Sequence, residues 1–377
     1  MKKVKILHVI TTLERGGAQR VLWNLLKSSK NNATKNYIIC LSGKTNYADL
    51  FREIDVEVIF LNGTNIIQTF NVFFCFISNL NRIKPDLINS WLYHADLFVS
   101  FAKLFFVRST PIIWSVHHAS KTLSKESLHT KLSLKILTFL SYFIPEKIIY
   151  CSKLSQEIHY EIGYAKKNGI IIKNSIDNSI FKPNFEARKK VRKNLNISES
   201  EILIGLVARN DPNKGLKIFL DLVKSFKDQL KFKFIICGEN MDYENLKSDF
   251  ENNKNYFYRN LTLMGEIDSP ENIFNAIDIL ICPSLKESFG LVALEAICSG
   301  TPVIASNIRA FQEILPKEFL VDKYTVKSFK KSIFNIIKKD KHYLKKLMDE
   351  LRFSKSHEYS IDEMTKDYRE IYRQLII

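Results

Sequence analysis

Short apolar runs recur along the chain, each followed by a polar or glycine-containing stretch and then by a segment whose apolar residues return every three or four positions. The first series of runs is Val4 to Ile10, Tyr37 to Leu41, Val56 to Leu61, Asp86 to Ser90, Ile112 to Val116, Lys147 to Cys151 and Gly169 to Lys173. Strand-length runs alternating with helical periodicity predict a parallel sheet with helices on both faces. A second series follows at Ile202 to Ala208, Phe232 to Cys237, Leu261 to Met264, Asp278 to Cys282 and Pro302 to Ala305. Between them the charged stretch Glu186 to Lys193, after Asn184, marks a boundary near residues 180 to 200. A chain of 377 residues is long for one core and comfortable for two. The expectation is α/β, two Rossmann-like domains, with no internal repeat.

The stretch Pro283 to Gly300 has the grammar of a ligand site. Ile279 to Cys282 reads as a buried parallel strand ended by Pro283, and Leu291, Leu294 and Ile297 recur at helical spacing until Gly300. The loop Ser284 to Gly290 then lies at a strand's carboxyl end and a helix's amino end, where unpaired N–H groups and the helix dipole favour an anion such as a diphosphate. Glu287 and Glu295 would repel that anion, so each needs another partner. A carboxylate offers two acceptor oxygens, which suits sugar hydroxyls: a hexose hydroxyl at Glu287 and a ribose diol at Glu295. The plainer alternative makes Glu287 a first-turn acid and Glu295 a solvated helix residue.

Glu287, seven intervening residues and Glu295, with Ser288-Phe289-Gly290 after the first acid and Gly300-Thr301-Pro302-Val303-Ile304-Ala305 after the second, resemble the donor-site motif of retaining glycosyltransferases of family four. The resemblance implies a GT-B fold: an acceptor-binding domain, residues 1 to 180 with a returning helix at about 361 to 377, and a nucleotide-sugar-binding domain, residues 181 to 360, facing across a cleft. It implies that Glu287 contacts the donor sugar, Glu295 the ribose, and the backbone of Ser288, Phe289, Gly290 and Leu291 the diphosphate.

Further segments carry the same resemblance. Gly16 and Gly17, before a helical pattern, look like the family's amino-terminal Gly-Gly-Ala-Glu loop near the donor phosphates, with Gln19 for Glu. Two glycines before a helix also let a ligand approach the backbone. Arg209 and Lys214 flank a turn after Ile202 to Ala208 and resemble the Arg and Lys-Gly pair that neutralises the leaving diphosphate. Gly238 resembles the Gly-rich loop near the nucleotide, and Lys173-Asn174-Ser175-Ile176-Asp177 the interdomain Asn-Gly-Val-Asp turn, with Ser175 for Gly. His117, ending the strand Ile112 to Val116, matches the active-site His, with His118 the alternative if the register shifts by one; His94 resembles a second cleft His on the acceptor side.

Composition narrows this picture. The formal charge of +16 is uneven, with 23 Lys and Arg against 12 Asp and Glu in residues 1 to 180. A basic half fits a nucleic acid, an anionic membrane or a phosphorylated substrate; no nucleic-acid motif is present, and an Ile-, Lys- and Asn-rich bias without function is the other reading. Six scattered cysteines without metal or thioredoxin spacing read as buried thiols in a reducing compartment. No His, Asp and Glu cluster has metal spacing, so neither a catalytic metal nor a cofactor is expected. No secretory or transmembrane segment is expected, which predicts a cytoplasmic protein. Lys121, Lys125, Lys131 and Lys135, interspersed with leucines and Phe139, predict an interfacial helix over Lys121 to Tyr142 that docks peripherally on the inner face of an anionic membrane; a scaffold helix is the alternative. The expected activity is transfer of a hexose or N-acetylhexosamine from a nucleotide-diphosphate sugar, a UDP-sugar by preference, to a hydroxyl of a lipid-linked or oligosaccharide acceptor in surface polysaccharide assembly. The rivals are a sugar-nucleotide epimerase or hydrolase, and a basic nucleic-acid-binding protein.

Overall fold

Alternation along the strands sets the layers. In β1 (Val4–Ile10), Leu7 and Val9 enter one hydrophobic core while Ile6 and Ile10 enter another on the opposite side of the sheet, as the two-residue period of a strand requires. The computed structural model describes residues 3–14, 16–28, 34–43, 48–62, 66–107, 109–117, 128–247 and 260–376. Contacts divide the chain into two units, Met1–Ser175 with Tyr359–Ile377, and Ile176–Glu358.

The first unit holds a seven-stranded parallel sheet of order β3-β2-β1-β4-β5-β6-β7, with β2 Thr34–Cys40, β3 Glu57–Phe60, β4 Leu87–Trp91, β5 Ile112–Val116, β6 Lys147–Tyr150 and β7 Gly169–Ile171. Helices Ile66–Ile83, Tyr93–Phe105 and Leu128–Leu140 contribute to one core; Gly17–Ser28 and the final helix Ile361–Ile376 contribute to the other. The final helix is fixed by polar contacts as well as packing: Asn89 Nδ2 donates to Tyr372 Oη at 2.7 Å and Arg369 donates to the Ser28 carbonyl at 2.9 Å. Tyr368 stacks near Trp91, with centroids 6.0 Å apart.

The second unit holds six parallel strands in the order β10-β9-β8-β11-β12-β13: β8 Ile202–Val207, β9 Phe232–Cys237, β10 Leu261–Leu263, β11 Ile279–Cys282, β12 Val303–Ser306 and β13 Leu320–Val321. The two-residue β13 is absent from the sequence reading, because so short a run has no period of its own. The charged stretch Glu186 to Lys193, read as a junction, is the helix Phe185–Asn194 of this unit, and the chain divides after Ser175 instead. Its charge is used internally: Arg188 and the nearly fully buried Arg192 reach the Asp278 carboxylate at 2.8 and 3.1 Å. Asn184 caps this helix by accepting the Ala187 N–H at 3.0 Å.

Five cysteines are buried, but Cys75 is exposed on helix 66–83, which corrects the expectation of six buried thiols. No described helix is long and apolar enough to cross a membrane.

Candidate active site

In the second unit the chain leaves β8 toward β9 and β10 on one side of the sheet, and leaves β11 toward β12 and β13 on the other. The carboxyl ends of β8 and β11 therefore form a topological switch point, where open α/β sheets bind ligands. The loops that follow these strands are fastened together. Leu285 N–H donates to the Asn213 carbonyl at 2.8 Å, and Tyr324 Oη donates to the Pro283 carbonyl at 2.8 Å. Gly215 sits at φ +73° with the position of a Cβ only 2.1 Å from the Pro283 carbonyl oxygen, so only glycine lets the loops touch there.

Two charged residues predicted for this site meet. Lys214 Nζ lies 2.6 Å from Glu287 Oε1, which also accepts from Ser284 Oγ at 2.9 Å. Their side chains are 23% and 10% exposed, so the pair is largely shielded yet reachable from solvent. Arg209 does not join them. It turns to Asp211, 3.3 Å away, and is 59% exposed. The reason is local: Asp211 accepts the Asn213 N–H at 2.8 Å, which fixes its carboxylate beside Arg209. Burial raises the Asp211 carboxyl, but that hydrogen bond and the Arg209 charge outweigh it and the group is held below its usual range.

Helix Leu291–Cys298 starts at Gly290, φ +96°, where a Cβ would stand 2.8 Å from the ring of Phe311. Phe289 is buried beside it, and Ser288 occupies the loop before it. Glu295, 7% exposed, is buried and not a solvated helix residue. Gly238, at φ +143°, places a would-be Cβ 1.8 Å from the Ala208 carbonyl oxygen. Its N–H donates to the Gly265 carbonyl at 2.7 Å, and Asn210 N–H donates to the Glu239 carbonyl at 2.9 Å. Gly238 thus joins the loops that follow β8, β9 and β10.

The first unit has its own switch point, between β1 and β4. After β1, Gly16 accepts the Arg20 N–H through its carbonyl, and Gly17 opens helix Gly17–Ser28. The buried Gln19 donates its amide to the Thr12 carbonyl at 2.9 Å, a bond that the carboxylate of a Glu in its place does not make. After β4, Leu92 adopts φ 73° and ψ 153°, strained for a branched side chain, and the exposed His94 lies in the next helical turn. His117 stacks on Trp91 with centroids 5.0 Å apart and planes 16° from parallel. The residue keeps partial exposure, yet both ring nitrogens are shielded and neither meets a partner at hydrogen-bond geometry among the described residues. Burial pulls its imidazole down to about 4, opposed in part by the Asn174 side chain, so the ring is neutral at pH 7. His118, Lys121 and Lys125 lie outside the described residues.

Ser284, Tyr324 and Trp91 support these sites and were not singled out as such from sequence, whereas Asn174 was read only as part of an interdomain turn. Ser284 carried a signal, since Ser-x-x-Glu before a helix is capping-box spacing; Tyr324 lies far along the chain and carried none. Among the described residues no three His, Cys, Asp or Glu side chains gather as a metal ion needs.

Comparison with known proteins now bears on this geometry. The chain has a fold similar to that of HepE of Anabaena solved in complex with UDP and glucose, with a TM-score of 0.85 at 18% identity over 98% of this chain and 100% of that one. The fold is GT-B. Residues 187–355, within the second unit, match the family model described as Glycosyl transferases group 1. Across 389 aligned residues, 99% of each protein, the chain is 24% identical to the O-antigen biosynthesis glycosyltransferase WclY of Escherichia coli. It is 25% identical to the UDP-Gal:alpha-D-GlcNAc-diphosphoundecaprenol alpha-1,3-galactosyltransferase of Escherichia coli, over 84% of this chain and 83% of that protein. The chain is a glycosyltransferase, and its second unit carries the group 1 segment.

Proposed function

We propose that the chain transfers a hexose or N-acetylhexosamine, with retention of anomeric configuration, from a UDP-sugar to a hydroxyl of a lipid-linked saccharide during assembly of an O-antigen or related surface polysaccharide. The observation that carries the donor half is the Lys214–Glu287 pair, 2.6 Å apart at the switch point of the second unit. A cation and a carboxylate held side by side match a ligand whose diphosphate and sugar are themselves side by side. Lys214 and the amino end of helix 291–298 stabilise negative charge as the UDP departs, which is electrostatic catalysis by fixed groups. Glu287, oriented by Ser284, accepts from a hexose hydroxyl, while Glu295 accepts from the ribose. Attack from the face that the diphosphate leaves avoids the need for a carboxylate nucleophile, and Glu287 is already committed to Lys214 and Ser284.

The acceptor half rests on the printed activities of the relatives, one an O-antigen enzyme and one acting on a diphosphoundecaprenol-linked sugar. The neutral His117 binds a sugar hydroxyl on this reading, as donor through one nitrogen and acceptor through the other.

The test is a panel of UDP-, GDP- and dTDP-sugars assayed with and without undecaprenyl-diphosphate-linked saccharide, in EDTA. Transfer of a UDP-linked sugar that needs the acceptor and survives chelation is the expected result. Epimerised donor without transfer, or restoration of a chelated enzyme by Mg²⁺ or Mn²⁺, overturns the reading.

A further inference from the structure

The outer surface of one helix layer in the first unit is apolar where solvent should be. Helices 66–83, 93–105 and 128–140 turn one face each to the same core, through Phe76, Val99, Ala102, Leu134 and Leu137. Their opposite faces should be polar. Instead, nine of the nineteen large apolar side chains exposed among the described residues fall between Phe74 and Phe143. Phe101, Leu104 and Phe105 stand at helical spacing on helix 93–105; Leu132 and Phe139 follow on helix 128–140 and Phe143 just beyond it. The two helices pack against each other, Phe73 meets Phe106 at 5.8 Å and Phe139 meets Phe143 at 5.4 Å, so the exposed side chains belong to one helix layer. Phe105, Phe139 and Phe143 are 66%, 67% and 71% exposed, a degree of exposure that single surface residues rarely show together on a monomer.

We propose that this patch is the surface through which the protein lies on an anionic lipid bilayer. Charge decides the occupant. Helix 128–140 carries Lys131 and Lys135 and no acid, whereas Lys103 of helix 93–105 is already paired with Glu146 at 3.2 Å. A second copy docking face to face would oppose two such surfaces, whereas anionic headgroups complement them and the phenyl rings enter the acyl boundary. Of the helix expected over Lys121 to Tyr142, with a basic edge beside a broad apolar face, Leu128–Leu140 is described. Leu134, Leu137 and Leu140 are core, Lys135 is exposed between Leu132 and Phe139, and the apolar contact is shared with helix 93–105. Each helix runs back from the carboxyl edge of its sheet, so Phe105, Phe139 and Phe143 lie toward the opposite edge. Docking there leaves the loops after β1 and β4 uncovered.

The experiment is co-sedimentation of the full chain with phosphatidylcholine vesicles carrying an increasing fraction of phosphatidylglycerol, at low and high salt. Binding should rise with anionic lipid. Phe105→Ser and Phe139→Ser should each weaken it about ten-fold. Lys131→Gln and Lys135→Gln should each weaken it about five-fold at low salt and little at high salt. UDP-sugar hydrolysis in vesicle-free buffer should be unchanged in all four variants, which separates failure of docking from failure of the donor-site reading. Variants that bind vesicles as wild type does overturn the proposal. So does an apolar variant that converts a dimer to a monomer in sedimentation velocity while vesicle binding stays constant.

Discussion

Glu287→Gln separates the two duties of the Lys214–Glu287 pair. The substitution keeps the shape of the side chain and its hydrogen bond with Ser284, and removes the charge 2.6 Å from Lys214. Loss of a charge-assisted hydrogen bond to the sugar in the transition state costs about 1.5–3 kcal/mol, so kcat/KM should fall roughly ten- to 150-fold. UDP affinity should move the other way. Lys214 is released to the diphosphate from a partly exposed pair, and such pairs contribute about 0.2–1 kcal/mol, which limits the gain to about five-fold. Folding should hardly change, because the side chain lies in a loop and remains hydrogen-bonded. The assay combines product formation at limiting donor, calorimetric titration with UDP, and thermal unfolding by circular dichroism. A folded variant with wild-type kcat/KM would sink the assignment of Glu287 to the sugar. A variant that loses UDP affinity in step with turnover would show that Glu287 acts only by holding Lys214 and its loop in place.

Lys214→Ala should weaken UDP binding about ten-fold and also lower stability by roughly 1–3 kcal/mol, since it leaves a 10% exposed carboxylate without its cation; titration and unfolding on one preparation check both. Gly238→Ala should destabilise the second unit by more than 1 kcal/mol and lower UDP affinity, because a Cβ at φ +143° strikes the Ala208 carbonyl where the site loops join; an unfolding midpoint equal to wild type refutes the close approach. Acid should weaken the first unit before ordinary carboxylates titrate. Burial brings His8 from 6.5 down to about 4, so its folded form stays neutral while the unfolded chain takes up a proton below pH 6.5. Stability is present above 6.5 and lost as pH falls toward 4, by about 2 kcal/mol at pH 5 for this one group. Urea unfolding at pH 7 and pH 5 measures it, and an unchanged slope in His8→Asn would place the proton uptake elsewhere.

The strands were legible because buried parallel strands are apolar on both faces and short, a signal that helices do not mimic when Pro283 or Gly238 closes the run. The loops Ser284 to Gly290 and Gly16 to Gly17 were legible as links from a strand to a helix, but their place at the reversals of strand order was not. What stayed hidden was pairing across long separation. Lys214 and Glu287 are 73 residues apart, and no local pattern says that Lys214 meets a carboxylate while Arg209 turns back to Asp211. The strain at Leu92 was equally invisible, since nothing in Trp91-Leu92-Tyr93 demands a positive φ. The segment 128 to 140 is apolar around most of its circumference, so periodicity could not assign Leu134 to the core and Phe139 to solvent; only the neighbouring helix 93–105 decides that.

The two units share a strand order and diverge in what they place at its reversal. The second unit presents opposite charges that satisfy each other until a ligand separates them. The first presents shielded polar atoms that meet no partner at hydrogen-bond geometry among the described residues: both nitrogens of His117, the Asn174 Oδ1 and the Thr11 Oγ1. An unmade hydrogen bond on a buried group costs about 1–3 kcal/mol, which a ligand that supplies the partner recovers. A sugar hydroxyl has the matching chemistry, being donor and acceptor at once, and a neutral imidazole is both as well. On the proposed reading His117→Ala should raise KM for a sugar substrate and leave UDP affinity untouched, whereas an imidazolium acting as acid would impose a fall in kcat/KM above pH 5. The pH–rate profile of the wild type between pH 5 and 8 distinguishes them: a limb in that range that disappears in His117→Ala would make the histidine a proton donor and end its assignment as a neutral hydroxyl ligand.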